Sequence, residues 1–358
     1  MGHVLVAPDK FKGSATAPEV AARLASGLRA GGAVAVELPV ADGGDGTLDA
    51  AVAAGYRQVP VEVSGPTGAC VRSAFALLDG TAVVELAAAS GLVLLPAGPD
   101  PLGASNRGTG ELVRAALDAG ATRIVLGVGG SASTDGGTGM LAALGARFLD
   151  DAGDLLPDGG GALTRLASVE LDGLDPRLAG VEIVLASDVD NPLREAPSVY
   201  GPQKGASTSD IRLLQQGLSR LAELVDPAAA RLPGAGAAGG VGFAALAVLG
   251  AQMRPGIEVV LEVVGFAAAL DGADLVVTGE GRLDIQTLHG KAPAGVAAAA
   301  RAAGVPVVAV CGVRDLDDAQ LAAAGFTAAH ALTELCPDEA RCRADPGPLL
   351  ESIGRTLA

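Results

Sequence analysis

Tryptophan is absent from this chain, and aromatic residues make up only 2% of it. That removes the stacking platforms on which single-strand nucleic-acid binders hold bases. Positive charge is also scarce. The net charge is −16 at pH 7, with a sequence pI near 4.5. A surface so acidic repels nucleic acid and anionic membrane, so neither is an expected partner. The four cysteines (Cys70, Cys311, Cys336, Cys342) form no CxxC pair, and the three histidines (His3, His289, His330) fall into no zinc pattern with them. Free thiols in a reducing cytosol are the expectation, and with them a cytoplasmic location. Residues 1–6 read directly as a strand, without signal-peptide architecture. Glycines and charges interrupt every apolar run before it is long enough to span a bilayer.

Lysine is scarce in a more pointed way. There are four, against twenty-one arginines. All four sit in polar motifs punctuated by glycine or proline. Lys10 and Lys12 lie in Ala7-Pro8-Asp9-Lys10-Phe11-Lys12-Gly13-Ser14, Lys204 in Gly201-Pro202-Gln203-Lys204-Gly205, and Lys291 in Gly290-Lys291-Ala292. A compact ammonium is not interchangeable with a planar guanidinium. A chain that writes Arg for generic cations and keeps Lys only here points to anion sites, phosphate foremost, although an Arg-rich composition would by itself thin out lysine.

At 358 residues the chain can bury a large core, and two domains are expected rather than one. Strand-like apolar runs at 4–7, 34–40 and 59–63 alternate with helical patterns at 18–30 and 47–54. Thr16 or Ala17 stands near the first helix cap, with Glu19 in its first turn. The C-terminal end repeats the rhythm, with strands at 273–278, 305–310 and 327–331 and helices at 291–303, 317–324 and 347–357. Such alternation reads as a parallel sheet covered on both faces. In the middle, 71–78 and 81–87 form a predicted hairpin around Asp79-Gly80. Helices are expected at 111–119, 139–144 and 209–225, strands at 123–127 and 182–186, and a loop-rich stretch at 150–181. The expected fold class is α/β with two domains. One is a Rossmann- or flavodoxin-like parallel-sheet domain built from both chain ends (1–64 and 280–358). The other is an inserted central α/β domain (65–279).

Two glycine loops follow strands and open helices. The first is Ala41-Asp42-Gly43-Gly44-Asp45-Gly46-Thr47, which is either an anion-binding loop or an ordinary βα loop with an Asp cap. The second, residues 127–139 (GVGGSASTDGGTG), carries six glycines and four hydroxyls and can form a nest of N–H donors around phosphate oxygens. Gly234-Ala235-Gly236-Ala237-Ala238-Gly239 fits GxGxxG by letter but follows a helical stretch, so the dinucleotide reading lacks its βα setting. A loop contacting the other domain is the expectation there. There is no Walker A sequence, since Ile285 stands at the first glycine position before Gly290-Lys291, and no HRD or DFG.

Acids complete the pattern. Ser187-Asp188-Val189-Asp190-Asn191-Pro192 follows a predicted strand, and α/β proteins place ligands at strand C-termini. Asp188 can face a site while Asp190 serves the turn. Thr278-Gly279-Glu280-Gly281-Arg282-Leu283-Asp284 also ends a predicted strand. Glu280 between two glycines suits a metal or a sugar hydroxyl, with Arg282 as its expected salt-bridge partner.

These motifs, in this order, resemble the glycerate kinase family of bacterial small-molecule kinases, the group distinct from the MOFRL-type and P-loop-like enzymes. The matching stretches are 7–14 (APDKFKGS), 39–47 (PVADGGDGT), 108–113 (GTGELV), 129–141 (GGSASTDGGTGML) and 187–193 (SDVDNPL). They continue through 200–206 (YGPQKGA), 234–241 (GAGAAGGV), 255–259 (PGIEV) and 278–291 (TGEGRLDIQTLHGK). Residues 337–346 are unusually polar and show no family signature.

The resemblance implies ATP- and Mg²⁺-dependent phosphorylation of D-glycerate, giving 2-phosphoglycerate, in the cleft of a two-domain α/β fold. A 3-phosphoglycerate-forming enzyme, a related small hydroxy-acid kinase and a non-catalytic effector-binding protein are the alternatives. Under this reading Asp188, Lys12 and Asp42 are the catalytic candidates. Lys10, Lys12, Ser14, Asp188 and Asn191 would bind substrate. Gly43, Gly44, Gly129, Gly130, Ser131, Ser133, Lys204, Gly279, Glu280 and Lys291 would bind ATP. Asp42 and Glu280 would hold Mg²⁺. The sequence does not fix an oligomeric state, and a homodimer is compatible with it.

Overall fold

Along the first strand, alternate side chains enter different cores. Leu5 and Ala7 join one buried cluster, while Val4 and Val6 join another. A strand that is apolar at every position is therefore buried on both faces, as the run of valines and leucines predicts. The computed structural model describes residues 2–358. Its strands are β1 (His3–Pro8), β2 (Ala35–Glu37), β3 (Arg57–Ser64), β4 (Cys70–Leu78), β5 (Thr81–Glu85), β6 (Arg123–Gly127) and β7 (Arg147–Leu149). They continue with β8 (Ser168–Glu170), β9 (Glu182–Ala186), β10 (Gln252–Arg254), β11 (Ala273–Leu283), β12 (Val307–Arg314) and β13 (Ala328–Ala331).

The terminal unit, assembled from the chain up to Asp42, Asp49–Gly55 and Pro255–Ala358, holds the sheet β13-β12-β11-β1-β2. Every pair in it is parallel. Counted within this unit, the strand order is 2-1-3-4-5, the flavodoxin order, whose switch point lies between β1 and β11. Helix Ala17–Ala30 covers one face, starting at a capping box between Thr16 and Glu19. It packs closely on helix Gly347–Thr356, since a Cβ on Gly27 would lie 2.2 Å from the Glu351 carbonyl oxygen. The other face is covered by helices Gly256–Val263 and Ala292–Ala302, which bury Ile257, Val260, Val296 and Ala300.

The central unit, Gly43–Leu48 with Tyr56–Arg254, holds the sheet β10-β9-β6-β5-β4-β3. It is parallel from β10 to β5 and antiparallel from β5 to β3. The hairpin turns at Asp79 (φ 45°) and Gly80 (φ 77°), two left-handed residues as a tight turn requires. The pair β7-β8 is antiparallel, with β8 inside the loop-rich stretch and β7 just before it.

The fold class is as the sequence implies, but the division runs elsewhere. The expected terminal segments were 1–64 and 280–358. In the structure β3 pairs with β4 along its whole length, from Arg57↔Leu77 to Ser64↔Cys70, so it belongs to the central sheet. Residues 255–279 belong to the terminal unit, because Ile257, Val260, Phe266 and Val276 share one core. The segment Gly43–Leu48 groups with the central unit although β2 before it does not. The strand expected at 273–278 also runs on: β11 extends through Glu280 to Leu283, paired with β12.

Candidate active site

In the terminal unit, acids gather at the carboxyl ends of the two strands that flank the switch point. β1 ends in Ala7-Pro8, and Asp9 follows with its N–H donated to the Gly279 carbonyl, 2.8 Å. Thr278 Oγ1 donates to the Ala7 carbonyl, 2.7 Å, clamping the two strands there. Gly279 is obligatory at this point, because a Cβ would lie 1.8 Å from the Val310 carbonyl oxygen. The close approach leaves Glu280 buried. Its carboxylate accepts from Thr287 Oγ1 at 2.6 Å and faces Lys291 Nζ at 3.5 Å. Burial holds the Glu280 pKa above its ordinary value, against the opposing effects of Thr287 and Lys291. Arg282, the partner expected from sequence, instead pairs with Asp315 at 2.7 Å and 3.2 Å. An exposed planar fork finds an exposed carboxylate there, whereas the buried acid takes the ammonium.

Asp9 is not among the candidates that the sequence offers. It is 6% exposed, accepts the Lys10 N–H at 2.6 Å and lies 3.7 Å from Lys10 Nζ. Its pKa is raised to about 7, chiefly by burial; Lys10 pulls it down, while Asp42 and Glu280 push it up. Three carboxylates from three segments thus feel one another at this edge. Its signal in the sequence was position, an acid directly after the first strand. Lys12 is exposed on the following loop, and Ser14 Oγ donates to the Arg343 carbonyl at 2.5 Å. That bond joins the loop to the polar 337–346 segment.

In the central unit the two glycine loops pack backbone against backbone. A Cβ on Gly127 would lie 2.7 Å from the Gly43 carbonyl oxygen, and one on Gly129 would lie 2.6 Å from Gly44 Cα. The first loop is held by Glu85, buried at the end of β5, whose carboxylate accepts from Gly46 N at 3.1 Å and Leu48 N at 3.0 Å. Among the described residues, the backbone N–H groups of Gly129, Gly130 and Ser131 meet no protein acceptor. Unused donors on a glycine loop suit an anion. The Ser131 hydroxyl is turned to the Ala238 carbonyl, 3.3 Å, and that of Ser133 to Asp135, 3.5 Å.

Behind this loop lies a polar core. Asp135 is fully buried and accepts from Asn106 N, Asn106 Nδ2, Gly137 N and Gly139 N at 2.8–3.2 Å. Burial raises its pKa and those four donors lower it. Lys204 is 2% exposed, and its ammonium donates to the Ser133 carbonyl. The segment Gly234–Gly240, expected to contact the other domain, packs on this same loop inside its own unit. Gly136 N donates to the Gly239 carbonyl, 2.9 Å, and a Cβ on Gly239 would lie 2.1 Å from the Ser133 carbonyl oxygen.

After β9, Asp188 is exposed. Asn191 has both amide atoms engaged, donating to Glu195 at 2.9 Å and accepting from Tyr200 at 2.7 Å. Among the described residues, no group of three or more His, Cys, Asp or Glu is arranged to hold a metal ion, and no helix is long and apolar enough to cross a membrane.

The flavodoxin-order sheet with acids at its switch point defines an α/β protein of the kind that binds ligands at strand carboxyl ends, and the glycine-loop unit suits an anion. A model of the glycerate kinase family matches residues 4–358. The chain is 48% identical over 322 residues to the glycerate kinase of Bacillus subtilis (strain 168), covering 86% of this chain and 84% of that one. It is 45% identical, with the same coverage, to the glycerate 2-kinase of Escherichia coli (strain K12). A crystal structure assigned as glycerate kinase 2 from Salmonella typhimurium LT2 superposes with a TM-score of 0.85 at 42% identity, covering 99% of this chain and 97% of that one. The chain belongs to the glycerate kinase family.

Proposed function

We propose that this protein transfers the terminal phosphoryl group of ATP to the 2-hydroxyl of D-glycerate, giving 2-phosphoglycerate and ADP. The reading is supported within each unit separately, by charged groups in the terminal unit and by a glycine loop in the central unit. In the terminal unit Asp9 directly follows β1, Glu280 lies late in β11, and Lys291 caps a helix beside Glu280; in the central unit the N–H donors of Gly129–Ser131 are unused. The relative named glycerate 2-kinase supports the 2-hydroxyl as acceptor. Phosphoryl transfer asks a protein for positioning and charge neutralisation more than for covalent chemistry.

In this reading the glycine loops at Gly43-Gly44 and Gly129-Gly130 receive the ATP phosphates, and Lys291 supplies a point charge to them. Lys12, exposed on its loop, orients the glycerate carboxylate, with Lys10 behind it. Asp188 accepts or orients the proton of the reacting hydroxyl. Asp42 and Glu280 would hold Mg²⁺. Their hard oxygens fit that ion, which takes one or two carboxylates and completes its shell with phosphate and water. The mutual repulsion felt by Asp9, Asp42 and Glu280 is what a cation there would relieve. Bound, Mg²⁺ supplies neutralisation of phosphate charge.

The test is ADP release in a coupled assay with D-glycerate, L-glycerate and glycerol, with and without Mg²⁺, and phosphorus NMR of the product. Turnover with D-glycerate alone, dependent on Mg²⁺, is expected. Turnover without Mg²⁺, a 3-phosphate product, or no turnover with glycerate would each overturn the corresponding part.

A further inference from the structure

Lys204 is an ammonium with 2% of its surface exposed, held in the central unit behind the second glycine loop. Such a group is costly to bury unless something depends on it. Its hydrogen bond goes to a backbone carbonyl, that of Ser133, two residues after the N–H donors of Gly129–Ser131. The charged group that faces it is Asp135, on the same loop. Asp135 in turn gathers the N–H groups of Asn106, Gly137 and Gly139. Two further buried oxygens in this core, Thr134 Oγ1 and Asn106 Oδ1, have no partner. The loop is therefore not held by a saturated set of side-chain bonds. Its first part is pinned by a backbone bridge, Leu92 N to the Gly130 carbonyl at 3.0 Å and Ala132 N to the Ser90 carbonyl at 2.9 Å, and its middle by the ammonium on the Ser133 carbonyl and by the carboxylate that the ammonium faces.

We propose that Lys204 is a positioning residue for the nucleotide: by holding the Ser133 carbonyl it sets the backbone of Gly129–Ser131 so that its N–H groups converge on phosphate, without itself touching ATP. This rests on the reading of the glycine loop as the phosphate site. It separates Lys204 from Lys291 and Lys12, whose ammonium groups are accessible. Burial lowers the Lys204 pKa to about 8, and Asp135 opposes that shift. Loss of its proton above that pH weakens the hold on the loop while leaving ATP and glycerate in their ordinary ionisation states.

The experiment measures KM for ATP, KM for D-glycerate and kcat from pH 7 to 9.5 in the natural enzyme, Lys204→Met and Gly130→Ala. In the natural enzyme KM for ATP should climb above about pH 8, with KM for glycerate flat. At pH 7 Lys204→Met should raise KM for ATP by roughly tenfold, the scale of one hydrogen bond to a charged group, and should abolish the alkaline climb. A methionine variant with unchanged KM for ATP, or one in which both KM values and kcat worsen together, overturns the proposal. If that variant does not fold, the natural enzyme decides: a KM for ATP that stays flat to pH 9.5 overturns it. Gly130→Ala separates the two levels. If it raises KM for ATP while Lys204→Met does not, the loop reading stands and the role of Lys204 fails. If neither moves KM for ATP, the loop reading itself fails.

Discussion

Lys291 holds its ammonium 3.5 Å from Glu280 Oε2, and the same ammonium lies 3.9 Å from Asp284 Oδ1. Lys291 is the N-cap residue of helix Ala292–Ala302, and Glu280 lies within β11 at the switch point of the sheet. The contact therefore ties a cation at a helix start to a buried carboxylate inside the sheet. Lys291→Met should leave Glu280 without its cation and lower kcat/KM for ATP by about ten- to a hundredfold, the scale of one hydrogen bond to a charged group. Steady-state kinetics with thermal melts of the same variant check this. A melt that drops while kinetics hold would assign the pair to stability alone.

Lys12 is exposed on the loop that follows β1. Its proposed task is that of a point charge on a flexible stem, which a planar fork does not reproduce. Lys12→Arg should keep the fold and the melting temperature, and raise KM for D-glycerate by roughly tenfold or more. Near-normal kinetics in this variant would return the scarcity of lysine to composition.

Asp188→Asn should bind ATP as before and lose turnover by about a hundredfold or more, the contribution of a positioned acid–base group. Asp42→Asn should instead raise the Mg²⁺ concentration needed for half-maximal rate. Nucleotide titration by calorimetry and a Mg²⁺ series separate the two. Equal effects of both variants on Mg²⁺ dependence would refute the division of roles.

Asp9 makes a prediction about stability with the opposite sign to the usual carboxylate. Its pKa is about 7 in the folded protein and 3.8 in the reference state, so between these values the folded chain binds the extra proton. Stability therefore falls as pH rises from about 4 to 7, by an amount on the order of 4 kcal/mol if this group acts alone. Asp9→Asn removes that loss. It should raise the melting temperature at pH 8 and not at pH 4, while reducing activity. Denaturant midpoints of both proteins at the two pH values measure it. An Asn variant less stable at pH 8 would show that Asp9 is not a strained anion.

Gly130 has φ of 75°, and a Cβ there would sit 3.2 Å from Ala87 Cβ. Alanine at a left-handed position costs about 1 kcal/mol or somewhat more. Gly130→Ala should show that modest loss in melts and a KM for ATP raised more than the KM for glycerate. A purely thermal defect would make the loop structural.

The parallel strands were readable from their short continuous apolar runs, and residues 123–127 and 182–186 coincide with β6 and β9. The hairpin was readable from Asp79-Gly80. The division of the chain was not, because β3 is assigned by its partner: Val59, Val61 and Val63 would suit either sheet, and only pairing with β4 decides. Asp9, Glu85 and Asp135 were illegible for a related reason. Each matters through what tertiary structure brings to it: two like charges for Asp9, two N–H groups of a distant loop for Glu85, and four donors for Asp135. Arg282 was misassigned because adjacency in sequence favoured Glu280, whereas its exposure favoured Asp315.

β1 finds its neighbour β11 only from His3 to Ala273 and onward. During synthesis at about 5–20 residues per second, β1 and β2 must therefore wait on the order of ten seconds or more for the strand that completes their sheet. The residues from Tyr56 to Arg254 are contiguous and emerge in between. The middle of the chain can thus fold first, while the edge of β1 that β11 will cover stays open until the last quarter arrives. For that interval the first strand is the exposed edge most in need of a chaperone.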